Sequence, residues 1–112
     1  MAAAAASWVI PPFRFATVEE GVYRGAYPTL KNLSFLDTLQ LRTIVSLTPE
    51  EPTVDLARFC VARGVESVHF TAERYAGEVA VDDDTLASVL SLLVDTSRHP
   101  LLIHCNEVGG CE

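Results

Sequence analysis

The amino-acid sequence predicts an α/β fold, with a partly parallel central sheet flanked by helices. Three observations carry this. Thr43–Leu47 and Val65–Phe70 are short β-rich runs, and Leu101–Ile103 is a continuous apolar run of the kind found in buried strands. Helical patterns separate these runs. The resulting order of strand, helix, strand, helix, strand calls for right-handed crossovers and parallel neighbours.

Taken in chain order, residues 1–10 are expected to form a disordered leader and residues 11–112 a single domain. Pro11-Pro12 marks an extended start, and Val22-Tyr23-Arg24 between Gly21 and Gly25 reads as an edge strand. Leu30, Leu33, Leu36 and Leu39 recur every third position, which predicts a helix over 29–40. After the strand at 43–47, Thr48-Pro49-Glu50-Glu51-Pro52 opens a second helix, with Pro in its first turn, that runs to about Arg63. Leu56, Phe59 and Cys60 share its apolar face, and Gly64 stands where a helix C-terminus wants a left-handed residue. The next strand, 65–70, puts Val68 and Phe70 on one face and Ser67 and His69 on the other. The polar segment 71–81, containing Gly77, reads as a surface loop. Asp82-Asp83-Asp84-Thr85 caps a third helix whose core face is Leu86, Val89, Leu90 and Leu93, ending near Asp95.

Composition narrows the function classes. At 112 residues the chain is one domain, and 49% apolar residues with 21% charged mark a globular one. A net charge of −7 argues against nonspecific nucleic-acid binding, which depends on Lys and Arg displacing phosphate counterions. No apolar run approaches the roughly 20 residues of a membrane span. Met1–Ala6 lacks the basic start and long apolar stretch of a signal peptide, so a cytoplasmic or nuclear location is the default expectation. Three cysteines, Cys60, Cys105 and Cys111, are too few for a disulfide framework.

The chemistry-bearing motif is Leu101-Leu102-Ile103-His104-Cys105-Asn106, a buried-strand pattern that ends by delivering a cysteine into a loop. In open α/β sheets ligands gather beyond the carboxyl ends of the strands. A thiol placed there can act as a nucleophile once positive charge or backbone N–H groups stabilise its thiolate. On phosphorus it also needs a cation for the equatorial oxygens, and the planar fork of Arg suits that geometry.

Five blocks in the same order resemble the plant and fungal atypical dual-specificity phosphatases. These are Ile10–Phe15, Val22–Pro28, Asn32–Leu36, Leu47–Glu51 and Pro100–Asn106. The resemblance implies a tyrosine-phosphatase-like domain that needs no cofactor or metal and acts on phosphoproteins or on phosphorylated small molecules such as inositol pyrophosphates. It implies Cys105 as nucleophile and His104 as the residue that sets its environment. It also implies that Asn106, Gly109 and Gly110 fall in the phosphate-binding loop. By position, Asp82, Asp83, Asp84 or Glu78 is the candidate general acid, although helix capping alone accounts for an Asp run. Arg24 and Arg74 are candidate helpers in phosphate binding, with surface solvation the simpler role for each.

The pattern then breaks. Cys111 stands where the family places its phosphate-binding Arg, and Glu107 and Glu112 put like charge beside a site meant for phosphate. The sequence reading is therefore an incomplete, truncated tyrosine-phosphatase-like domain, inactive or strongly impaired, with apolar surface left uncovered. The alternative is a noncatalytic regulatory module that binds a protein partner through the uncovered sheet face. His99, His104, Cys105 and Cys111 offer a further, weaker reading as metal ligands, and their spacing is not that of a zinc site.

Overall fold

The strands alternate with helices in the computed structural model, which describes residues 9–75, 78–80 and 82–105, those at 73–75 and 78–80 by backbone alone. β1 (Ala16–Glu19) and β2 (Val22–Gly25) lead through a short 3-10 turn, Leu30–Asn32, into α1 (Leu33–Leu39). β3 (Thr43–Thr48), α2 (Val54–Arg63) and β4 (Glu66–Thr71) follow. After them come β5 (Glu73–Tyr75), β6 (Glu78–Ala80), α3 (Asp83–Val94) and β7 (Leu101–Cys105). The main sheet has the order β1-β2-β7-β3-β4, with β1 antiparallel to β2 and the other three pairings parallel. The predicted partly parallel sheet is present, and β7 lies at its centre.

The two sheet faces bury different layers. Against one face, α1 and α2 pack Leu36, Leu56, Phe59 and Cys60 on Ile44 and Leu102. Against the other, α3 brings Leu92 and Leu93 toward Val22, Val45 and Leu101. Near the start of the described chain, the Asn32 side-chain amide donates to the carbonyls of Ile10 (3.1 Å) and Pro11 (3.2 Å). Asn32 Oδ1 accepts from the Thr29 backbone N–H at 2.8 Å, which fixes the entry to α1.

Local signals account for the helix ends. Thr53 caps α2 by accepting from the Leu56 N–H, so Pro52 precedes the cap instead of sitting in the first turn. Gly64 closes α2 at φ 68°, the left-handed position predicted for it. At the other end of the sheet, Asp82 caps α3 by accepting from the Thr85 N–H at 2.7 Å.

Four sequence expectations are corrected. Val22–Arg24 belongs to an inner strand, because Ala16–Glu19 pairs outside it and takes the edge. The 29–40 helix is split into the 3-10 turn and α1, and Leu30 is exposed. The 71–81 loop instead contains the antiparallel pair β5–β6, with Arg74 opposite Val79. Finally, α3 buries Val89 with Leu92 and Leu93 beside it, while Leu86 and Leu90 are 47% and 50% exposed. At about 100° per residue, Leu86, Leu90 and Val94 wind along the helix flank and away from the sheet. Among the described residues no helix is long and apolar enough to cross a membrane.

Candidate active site

The candidate site is built at the carboxyl end of β7, between two parallel neighbours. Register sets the neighbours of each side chain. His104 is level with Gly25 on β2 and Ser46 on β3, and Ser46 is level with His69 on β4, so these share the face covered by α1 and α2. Cys105 points to the opposite face, level with Leu47 and, one strand further, Phe70. Both His104 and Cys105 are 0% exposed. Arg24 is level with Ile103, which puts it on the Cys105 face, one strand away and half-buried.

His104 is held on three sides. Ser46 Oγ lies 2.7 Å from its Nε2, its Nδ1 lies 3.1 Å from the Cys105 carbonyl, and the Tyr27 ring meets its edge at 4.7 Å between centroids. The Tyr27 hydroxyl in turn accepts from the Thr53 N–H at 2.7 Å, linking the imidazole to the α2 cap. Burial pushes the His104 pKa down to about 4; the bond to the Cys105 carbonyl opposes this, and nearby His69 adds to it. The ring is neutral at physiological pH. His69 is separately engaged, its Nε2 donating to the Thr48 carbonyl at 2.9 Å.

The carboxylate candidates lie at the same end of the sheet, because α3 starts where the chain leaves the carboxyl ends of β4 and the hairpin. Asp82 has its carboxylate bonded to Thr85, which holds its pKa below the ordinary value. That favours the ionised cap over a proton donor. Asp83 and Asp84 are exposed in the first turn of α3. Asn106, Gly109, Gly110 and Cys111 lie outside the described residues, as do the side chains of Glu78 and Arg74. His99 sits beyond the opposite end of β7, its Nε2 donating to the Leu93 carbonyl, so it is separated from His104 and Cys105 by the length of the strand. Among the described residues no three metal-ligating side chains cluster.

Ser46 and Tyr27 are the site residues that sequence reasoning missed. The signal for Ser46 is a lone hydroxyl within the buried run Thr43–Leu47, and it acquires meaning only once β3 and β7 are in register.

A family model described as "Tyrosine phosphatase family" matches residues 9–109. The chain belongs to the tyrosine phosphatase family. It is 38% identical over 96 residues to inositol diphosphatase DSP3 of Arabidopsis thaliana, covering 85% of this chain and 47% of the relative. In structure it resembles the core catalytic domain of the PP-IP phosphatase SIW14 from S. cerevisiae, solved with citrate. The TM-score is 0.80 at 31% identity, over 89% of this chain and 60% of that one. P. aeruginosa TpbA, solved in complex with pTyr, aligns with a TM-score of 0.63 at 26% identity, over 88% of this chain and 56% of TpbA. The chain thus spans about half the length of the curated relatives it matches.

Proposed function

We propose that this chain is a cysteine-dependent phosphatase domain for inositol pyrophosphates or phosphoproteins in which turnover is absent or strongly impaired. Cys105 is the nucleophile: its thiolate would attack phosphorus and displace the leaving oxygen or phosphate, forming a phosphocysteine that water then hydrolyses. Asp82, Asp83 and Asp84 are the candidate donors of the leaving-group proton, with Asp83 and Asp84 preferred because Asp82 is engaged as a cap. Asn106, Gly109 and Gly110 would offer backbone N–H groups to the phosphate oxygens.

The observation that carries the reading is the position of Cys105 on the central parallel strand, with Cys111 six residues on where the phosphate-binding Arg belongs. Without the fork, the equatorial oxygens lose a preorganised cation, and one such donor is worth about 10²–10³ in rate. The test is release of phosphate from p-nitrophenyl phosphate and from an inositol pyrophosphate. Cys105-dependent turnover in the ordinary enzyme range of about 1–10³ s⁻¹ would overturn the impaired reading, while rates at or only slightly above the level of Cys105→Ser support it.

A second reading is favoured by the exposed row Leu86, Leu90 and Val94 on α3. In it the chain is a noncatalytic module that binds a protein partner through this flank of the α3-covered face. Monomeric behaviour at micromolar concentration, with nothing recovered in a pull-down, counts against it.

A further inference from the structure

We infer that Ser46 is a positioning residue that selects the tautomer of His104 and, through it, fixes the carbonyl of Cys105. The bonds themselves require this. A carbonyl oxygen only accepts, so the 3.1 Å contact from His104 to the Cys105 carbonyl puts the proton on Nδ1. A neutral imidazole carries one proton, which leaves Nε2 as an acceptor, and the hydroxyl 2.7 Å away must donate to it. Ser46 is the donor.

Position and burial make the assignment restrictive. Ser46 and His104 are both 0% exposed and occupy paired register positions on adjacent parallel strands. The residue of β2 level with His104 is Gly25, which has no side chain, and the Tyr27 hydroxyl is drawn toward α2, where it accepts from the Thr53 N–H. His69, level with Ser46 on β4, has its Nε2 on the Thr48 carbonyl. Ser46 is therefore the group set opposite Nε2. With the proton held on Nδ1, the Cys105 carbonyl stays tied to the imidazole on the α1–α2 side of the sheet, while the thiol projects to the other side. The negative end of that carbonyl is thereby kept from turning toward the sulfur, an orientation that would disfavour a thiolate.

The inference deepens the reading of Cys105 as a nucleophile, but its first test is independent of turnover. Nitrogen-15 spectra of the histidine rings should give one tautomer for His104 in the native protein, with Nε2 unprotonated. Ser46→Ala, which removes a single atom from the core, should lose that single-tautomer signature. Ser46→Thr, which restores the hydroxyl, should recover it. In the same variants, the pH profile of Cys105 alkylation by iodoacetamide, read on its own peptide by mass spectrometry, should move to higher pH in Ser46→Ala and return in Ser46→Thr. An unchanged His104 signature in a folded Ser46→Ala protein overturns the inference, and so does a changed signature with an unmoved alkylation profile. Failure of the phosphatase reading would appear separately, as a Cys105 alkylation profile that follows Ser46 in a protein that neither turns over phosphate nor gains turnover when Arg replaces Cys111.

Discussion

A neutral imidazole fully buried beneath the would-be nucleophile makes the stability of this chain depend on pH. The folded pKa of His104 is about 4 against an ordinary value of 6.5, so between those two values the unfolded chain binds the proton and the folded chain does not. Stability from this residue is complete above pH 6.5, falls as pH drops toward 4, and is flat below. At roughly 1.4 kcal/mol per pH unit the loss is about 3 kcal/mol. Urea denaturation at pH 7.5 and pH 4.5 should show the drop, and His104→Gln should reduce its slope. At position 111, Cys111→Arg is expected to raise phosphate release by about tenfold or more, since one preorganised donor is worth about 10²–10³ and Glu107 and Glu112 oppose it. A steady-state assay against the native chain checks this. The strand that ends in His104 and Cys105 is legible in the sequence because a continuous apolar run marks a buried strand, while the roles proposed for the two residues rest on the family resemblance. Ser46 was not legible, since a serine in a strand has no meaning until the strand across from it is known.

Helix and strand boundaries followed local chemistry where that chemistry was strong. Gly64 is such a case: its φ of 68° is one that L side chains adopt with strain, and an added Cβ would meet nothing within 4 Å. Gly64→Ala should therefore destabilise the protein by about 1 kcal/mol, through backbone conformation alone, as read by thermal melting. The β5–β6 pair was illegible for the opposite reason. Glu73-Arg74-Tyr75 and Glu78-Val79-Ala80 are short and have mixed propensity, and only their cross-strand pairing makes them strands. Likewise, the three-residue leucine spacing over 30–39 predicts one continuous helix. The Asn32 side chain, turned back to Thr29 and to the carbonyls of Ile10 and Pro11, supplies the break, and that long-range contact leaves no local pattern.

At the scale of the whole molecule, the family and the layering were readable, while the extent of core cover was not. Periodicity assigns Leu86 and Leu90 to a core face, yet both are about half exposed with Val94 beside them. Replacing Leu86 and Leu90 by Lys together should change the melting temperature little and reduce binding of an apolar dye, because these side chains contribute more to the surface than to the packing. Leu102→Ala, at a fully buried position on the central strand, should by contrast destabilise by about 2–5 kcal/mol in the same melting experiment. The sheet order gives the central strand a further consequence. β2 is hydrogen-bonded to β1 and β7, and β3 to β4 and β7, so β7 joins two strand pairs that are far apart in sequence. The strand that presents the cysteine is also the seam of the sheet, and a lesion there that disturbs the backbone would part the β1–β2 pair from the β3–β4 pair as well as displace Cys105.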